Sequence, residues 1–145
     1  MEDKAKILAF LRQQKLAVIA SYSPAQPTPE SALVAFTEDG QLRIYFQTSR
    51  HSRKAANMAR NPHVSLVIGL TLQDLTTVQY EGIVRQLVEP TEIEACKQLF
   101  LAKNSPTTPD YFDRPTTLLF EVSPTWIGYS DYSTNLPKVI EMQRF

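Results

Sequence analysis

The sequence predicts a mainly β domain, an α+β arrangement of six mostly antiparallel strands in a small closed or partly closed barrel with short flanking helices. Three observations lead there. Six short runs, several of them rich in Val, Ile, Tyr and Phe, are separated by turn-forming residues. Helical patterns do not alternate regularly with those runs, as a doubly wound parallel sheet would require. Closing such a sheet on itself removes the exposed edges that short antiparallel strands otherwise leave. At 145 residues, 43% hydrophobic and 21% charged, the chain has the size and balance of a single domain, residues 1–145.

The elements follow in order. Residues 2–15 place Ile7, Leu8 and Leu11 at helical spacing with Phe10 beside them, the pattern of an amphipathic helix. The strand-like runs are residues 16–21, 32–37, 42–48, 64–70, 77–88 and 117–122. Between the first two, SPAQPTP carries three prolines, which prevent a helix and favour an extended connection. Thr37-Glu38-Asp39-Gly40-Gln41 is a short Asp-Gly turn of hairpin type and predicts antiparallel pairing of the second and third strands. SRHSRKAANMARNP holds about two helical turns, with Ser49 or Ser52 as N-cap and Pro62 as a stop. Thr91-x-x-Glu94 has capping-box spacing and opens a helix in which Ile93, Cys96, Leu99 and Phe100 share one side. That face makes Cys96 core filling rather than a reactive thiol. Residues 104–115, with three prolines, Tyr111 and Phe112, read as a loop or single turn over the core.

Composition excludes several function classes. The longest apolar stretches fall far short of the roughly 20 residues that cross a bilayer. The opening MEDKAKILAFLRQQK lacks the separate basic and apolar regions of a signal peptide, so the expected location is the cytoplasm. One cysteine and two histidines argue against a disulfide framework and a structural zinc site. With four glycines there is neither Gly-x-Gly-x-x-Gly nor a Walker loop. Fifteen bases cancel fifteen acids, which removes the general electrostatic case for nucleic acid. The balance is uneven along the chain, however. Residues 40–73 carry Arg43, Arg50, Arg53, Lys54 and Arg60 with no acid, while the flanks on both sides are negative. A positive island in a neutral chain points to one anionic ligand.

The most informative stretch is Phe46-Gln47-Thr48-Ser49-Arg50-His51-Ser52-Arg53-Lys54, running from the end of a strand into the start of a helix. Helix N-termini expose unpaired backbone N–H groups and the positive end of the dipole, so they receive phosphate readily. Thr48, Ser49 and Ser52 add hydroxyls; Arg53 and Lys54 add a guanidinium fork and a point charge. The bland alternative is a solvated basic helix that Ser52 merely caps. His51 and His63 flank this helix without a catalytic arrangement around them, and Tyr80 and Glu81 must face opposite sides of their strand. Trp126, Tyr129 and Tyr132 cluster late in the chain, as a hydrophobic cover or an interface would.

Over nearly its whole length the sequence resembles the pyridoxamine 5′-phosphate oxidase-like, FMN-binding split barrels, which include general-stress flavoproteins. The residues that carry the resemblance run from LAVIASYSPAQP through IYFQTSRHSRKAANMARNPHVSLVI and VQYEGIVRQLVEPTE to LLFEVSPTWIGYS, with Thr48, Ser52-Arg53-Lys54 and Asn61-Pro62 as the strongest block. The resemblance implies a homodimer with FMN at the subunit interface and a small-molecule substrate. It implies that Thr48 and Ser49 lie near the ribityl chain and ring, with Gln47 beside them, and that Ser52, Arg53 and Lys54 hold the phosphate. Thr77, standing where the vitamin B6 oxidase carries a glutamine, is expected near the flavin's edge; Leu33, in the strand of residues 31–36, is expected along the ring. The chain ends LPKVIEMQRF without the Arg-Leu-His motif of that oxidase, which points away from vitamin B6 oxidation. The implied function is an FMN-dependent oxidoreductase. Alternatives on the same fold are a non-catalytic flavin- or haem-binding module and a deazaflavin-dependent reductase.

Overall fold

A computed structural model describes residues 2–25, 27–69, 71, 75–103 and 109–145. Its elements in chain order are α1 (Glu2–Gln13), β1 (Leu16–Ser23), β2 (Thr28–Glu38), β3 (Ile44–Ser49), α2 (Arg53–Arg60), β4 (His63–Ile68), β5 (Thr76–Gln86), α3 (Pro90–Ala102), α4 (Pro109–Phe112), β6 (Thr117–Asp131) and β7 (Lys138–Met142). The strands form one antiparallel sheet in the order β3-β2-β1-β4-β5-β6-β7, and β3 also pairs with β6, from Ile44 opposite Val122 to Ser49 opposite Thr117. That second pairing closes six strands into the expected barrel and leaves β7 as an additional strand outside it. No helix among the described residues is long and apolar enough to cross a membrane.

Period-two alternation fills the barrel. In β4, Val64, Leu66 and Ile68 are buried while His63, Ser65 and Val67 are exposed. Ile19, Val34, Phe36, Ile44, Phe46, Val78, Tyr80, Val122 and Ile127 join them in the main core, and α1 adds Ile7, Phe10 and Leu11. A second, smaller core lies on the other side of β3 and β6, where Cys96, Phe100 and Phe112 cover Tyr45, Leu87 and Leu119. Cys96 is therefore core filling, and burial pushes its thiol up to about 12.

Several boundaries differ from the sequence expectation, each for a local reason. The prolines between the first two strands lie at a hairpin end rather than in a long connection: β2 already begins at Thr28, and Pro29 pairs with Tyr22. In the next turn Asp39, not Gly40, shapes the chain. Its Oδ1 accepts from the N–H groups of Gln41 (2.9 Å) and Arg43 (3.1 Å), so residues 39–43 form a loop and β3 starts two residues later than expected. Leu42 consequently takes a positive φ of 63° with its side chain fully buried. The last barrel strand runs to Asp131 instead of residue 122, because a bulge between Glu81 and Gly82 absorbs the Ser123-Pro124 interruption. Gly82 is required there, since a Cβ would come within 2.5 Å of the Ser123 carbonyl oxygen. The capping box at Thr91 does not form: Pro90 occupies the first turn of α3, with Glu89 as N-cap and no side-chain cap bond. Residues 109–112 form the single turn anticipated over the core. Residues 104–108 of that segment, Leu70 of the fourth predicted strand and Gln26 of the proline connection lie outside the described residues.

Tyr80 ties the closure together from inside. Fully buried, it places its phenol 2.7 Å from the Leu42 carbonyl oxygen and 3.1 Å from that of Val122. Its one proton lies within reach of two carbonyls, that of the strained loop before β3 and that of the strand that closes on it, with the loop carbonyl the nearer. Removing the hydroxyl leaves buried carbonyls without their donor, so Tyr80→Phe is expected to lower unfolding free energy by ~1–3 kcal/mol. Urea denaturation measures this; an unchanged midpoint would contradict the assignment.

Candidate functional site

The site is assembled where β3 runs into α2. Thr48 shares the inward parity of Ile44 and Phe46, and its Oγ1 donates to Ser52 Oγ at 3.1 Å. Of the two expected N-cap candidates, Ser49 and Ser52, Ser52 caps α2: its extended backbone (φ −73°, ψ 152°) lets Oγ accept from Ala55 N–H at 3.2 Å. Ser49 Oγ accepts from His51 N–H at 3.1 Å. These two hydroxyls therefore act as acceptors toward the protein while keeping their own protons available for a ligand. The N–H groups of Arg53 and Lys54 begin the helix and have no intrahelical carbonyl to reach. At the other end Asn61 N–H reaches Asn57 O (2.9 Å), and the Asn61 side chain receives His63 N–H (3.0 Å), so α2 stops before Pro62.

The two adjacent cations differ sharply in environment. Lys54 is half-buried in a small cleft of about 100 Å³ lined by Ser21, Glu30, Ser31, Ala32 and Arg53. No hydrogen bond or ion pair to its amine occurs among the described residues, and burial holds its pKa below the ordinary lysine value. Arg53 points more to solvent, 77% exposed, and its Nη1 lies 2.7 Å from Glu30 Oε2. Glu30 is itself only 11% exposed and also receives Asn57 Nδ2 on Oε1 at 2.8 Å; the same Asn57 amide bonds Ser21 Oγ at 3.0 Å. Beyond Glu30 a larger cavity of about 470 Å³ opens toward the β1–β2 hairpin, where Arg60, Ser23 and Thr28 join Arg53 and Asn57 in its wall.

The remaining expected ligands are distributed on two other surfaces. Gln47 and Ser49 have the outward parity of β3; Gln47 stands beside Leu119, on the side covered by α3. Leu33 and Thr77 lie on the outer face of the β2-β1-β4-β5 sheet. There Leu33, Val18 and Val67 form one cross-strand row, and Thr77 sits opposite Ser130. This row is apolar and open: Leu33 is 59% exposed, and Leu16, Tyr22 and Val67 are also exposed, while Ser31, Ser65 and Gln79 share the same outward parity. Tyr80 and Glu81 alternate in and out as expected, Tyr129 is buried, and Tyr132 is exposed.

Glu30, Asn57 and Ser21 were not anticipated from sequence. Glu30 lies outside the acid-free stretch and enters the site only through strand pairing. Its signal was parity, because Glu30 shares the inward face of β2 with Val34 and Phe36. Ser52 fixes α2 through both the Ala55 and Thr48 contacts, so Ser52→Ala is expected to cost ~1 kcal/mol of stability, as N-cap removals do. Thermal unfolding tests this, and a variant as stable as the parent would remove Ser52 from that role.

A sequence profile of the family described as "Pyridoxamine 5'-phosphate oxidase" matches residues 3–131. No curated protein matches the chain. Solved structures do. General Stress Protein 26 from Bacillus anthracis str. Sterne is 20% identical with a TM-score of 0.73, over 98% of this chain and 100% of that one. A pyridoxamine 5'-phosphate oxidase-related, FMN binding protein from Nostoc punctiforme is 14% identical with a TM-score of 0.73, over 99% and 90%. A heme binding protein from Mycobacterium smegmatis is 13% identical with a TM-score of 0.78, over 97% of this chain and 57% of that chain. At these identities the likeness is one of fold.

Proposed function

We propose that this chain, which belongs to the pyridoxamine 5′-phosphate oxidase family, is an FMN-binding flavoprotein that works as an oxidoreductase on a small substrate. The observation that carries the reading is Lys54. A half-buried amine with no hydrogen-bond or ion-pair partner among the described residues, carried on the first turn of a helix that Ser52 caps, is an arrangement that a phosphate monoester completes. The residues therefore fit the phosphate of FMN. Lys54 would supply the charge, the N–H groups of Arg53 and Lys54 would donate along the dipole, and Ser52 would donate through its hydroxyl. Arg53 has five N–H donors, of which Glu30 takes one, so it can add a further bond. FMN, when bound, supplies the hydride or electron transfer; the chain's own contribution is position and electrostatics. Neither His51 nor His63 lines the Lys54 cleft, which favours phosphate chemistry over haem ligation there.

We also infer a homodimer. Leu16, Val18, Leu33 and Val67 make an apolar surface that a second copy would remove from water, and Thr77 borders it. A ring system extending from the Lys54 cleft past Ser31 and Ala32 would reach this surface, so cofactor binding and association would share residues of β2.

Purified protein supplied with FMN should show the paired visible bands of bound flavin. Lys54→Ala should then bind FMN roughly tenfold to a hundredfold more weakly, the worth of one charge-assisted contact of ~1.5–3 kcal/mol. Unchanged affinity would refute the phosphate assignment. Leu33→Glu should shift the protein from dimer to monomer in analytical ultracentrifugation; a parent that already sediments as a monomer would refute the interface.

A further inference from the structure

We propose that Glu30 tunes this cleft against the full charge of a phosphate monoester by holding Arg53, so that FMN binds more weakly than the same site would hold it with a neutral residue at that position. The inference rests on the phosphate reading of the Lys54 site and concerns a residue to which that reading gives no part in holding the phosphate.

Geometry carries it. Glu30 meets the surroundings of both cations: it bonds Arg53 and lines the Lys54 cleft and the hairpin cavity alike. Its carboxylate is fixed rather than free to swing aside, because Arg53 holds one oxygen at 2.7 Å and Asn57 the other at 2.8 Å. Asn57 is in turn held by Ser21 on β1. A phosphomonoester carries about −1.5 to −2 charges at neutral pH. Lys54, Arg53 and Glu30 together offer it one net positive charge, whereas Lys54 and Arg53 alone would offer two. Low exposure at Glu30 limits the water available to screen that repulsion. The ligand must therefore share Arg53 with Glu30 or displace it.

Two consequences distinguish this role from a structural one. Relief of the opposing charge should matter for FMN and not for riboflavin, which has no phosphate. The effect should also shrink as salt rises, since charge repulsion near a surface is screened.

The test measures flavin affinity by fluorescence quenching for the full-length protein and for Glu30→Gln, a substitution that keeps the shape of the side chain and an oxygen for Asn57. Glu30→Gln is expected to bind FMN about tenfold tighter at low salt, with riboflavin affinity unchanged and with a melting temperature near the parent's. If the parent binds FMN and Glu30→Gln binds it equally or more weakly, Glu30 orients Arg53 for the ligand or is inert, and the proposal is overturned. A gain for riboflavin as large as that for FMN also overturns it, since the effect would not act on the phosphate. If neither protein binds FMN, the phosphate reading falls together with this one.

Discussion

The pairing of β3 with β6 is the constraint on which the rest depends. Without it the chain would be an open sheet with β3 as a bare edge; with it, β3 is hydrogen-bonded on both sides, by Phe36, Thr37 and Glu38 of β2 and by residues 117–122 of β6. The strand that launches the candidate site is thereby among the most constrained in the molecule. Thr48 is buried at its end, and the direction of Thr48 sets where Ser52 can cap α2. A ligand site placed there inherits the rigidity of the barrel rather than the mobility of a loop.

The closure is reinforced by polar contacts on both sides of β3. Inside, Tyr80 bridges the Leu42 and Val122 carbonyls. Outside, the Tyr45 phenol stands between Asp39 Oδ2 (2.9 Å) and Glu121 Oε2 (3.1 Å), and Arg85 links Glu121 to Glu92 of α3. A single phenolic proton can serve only one carboxylate at a time, so the arginines have to carry part of the load: Arg43 on Asp39 and Arg85 on Glu121. Burial disfavours ionisation of Asp39, yet the bonds from Arg43, Gln41 and Tyr45 outweigh it and hold that carboxyl below its ordinary value. A similar device anchors the far end of α3, where Lys103 pairs with buried Glu38, bonds the Leu11 carbonyl at 3.0 Å and lies 4.0 Å from the Phe36 ring centre. Burying such a pair costs desolvation; here the amine is answered three ways and joins α1, β2 and α3.

What could be read from sequence was what is encoded locally. The amphipathic stripe of α1, the serine cap of α2, the stop at Pro62 and the apolar run of β4 each depend on neighbours within a few positions, and each formed close to where the pattern put it. The errors came from competition. Ser123-Pro124 looks like a strand end, but a bulge opposite Gly82 lets β6 continue, at the cost of one residue out of register. Thr91 has capping-box spacing, but Pro90 has already fixed the first turn. β7 is short and mostly exposed, so its alternation carries little contrast. The site shows the same division. Thr48 to Lys54 was legible because it is contiguous; Glu30 and Ser21 were not, because only the β1–β2 register brings them to α2.

The basic island also changes meaning once folded. Of its five cations, Arg43 is bound to Asp39 and Arg53 to Glu30, so acids from β2 and the loop after it answer charges that are isolated in sequence. The other three face different spaces: Lys54 the cleft beside Ser31, Arg60 the hairpin cavity, and Arg50 a groove of about 360 Å³ between α2 and the ends of β5 and β6. A polyanion needs cations aligned on one surface so that several contacts form together. Cations divided among three recesses, two of them sharing a wall with a carboxylate, meet that need poorly. A ligand that concentrates its charge at one end asks less of the surface, since a single recess can admit it, and of the five cations Lys54 is the one that burial disfavours as a charge.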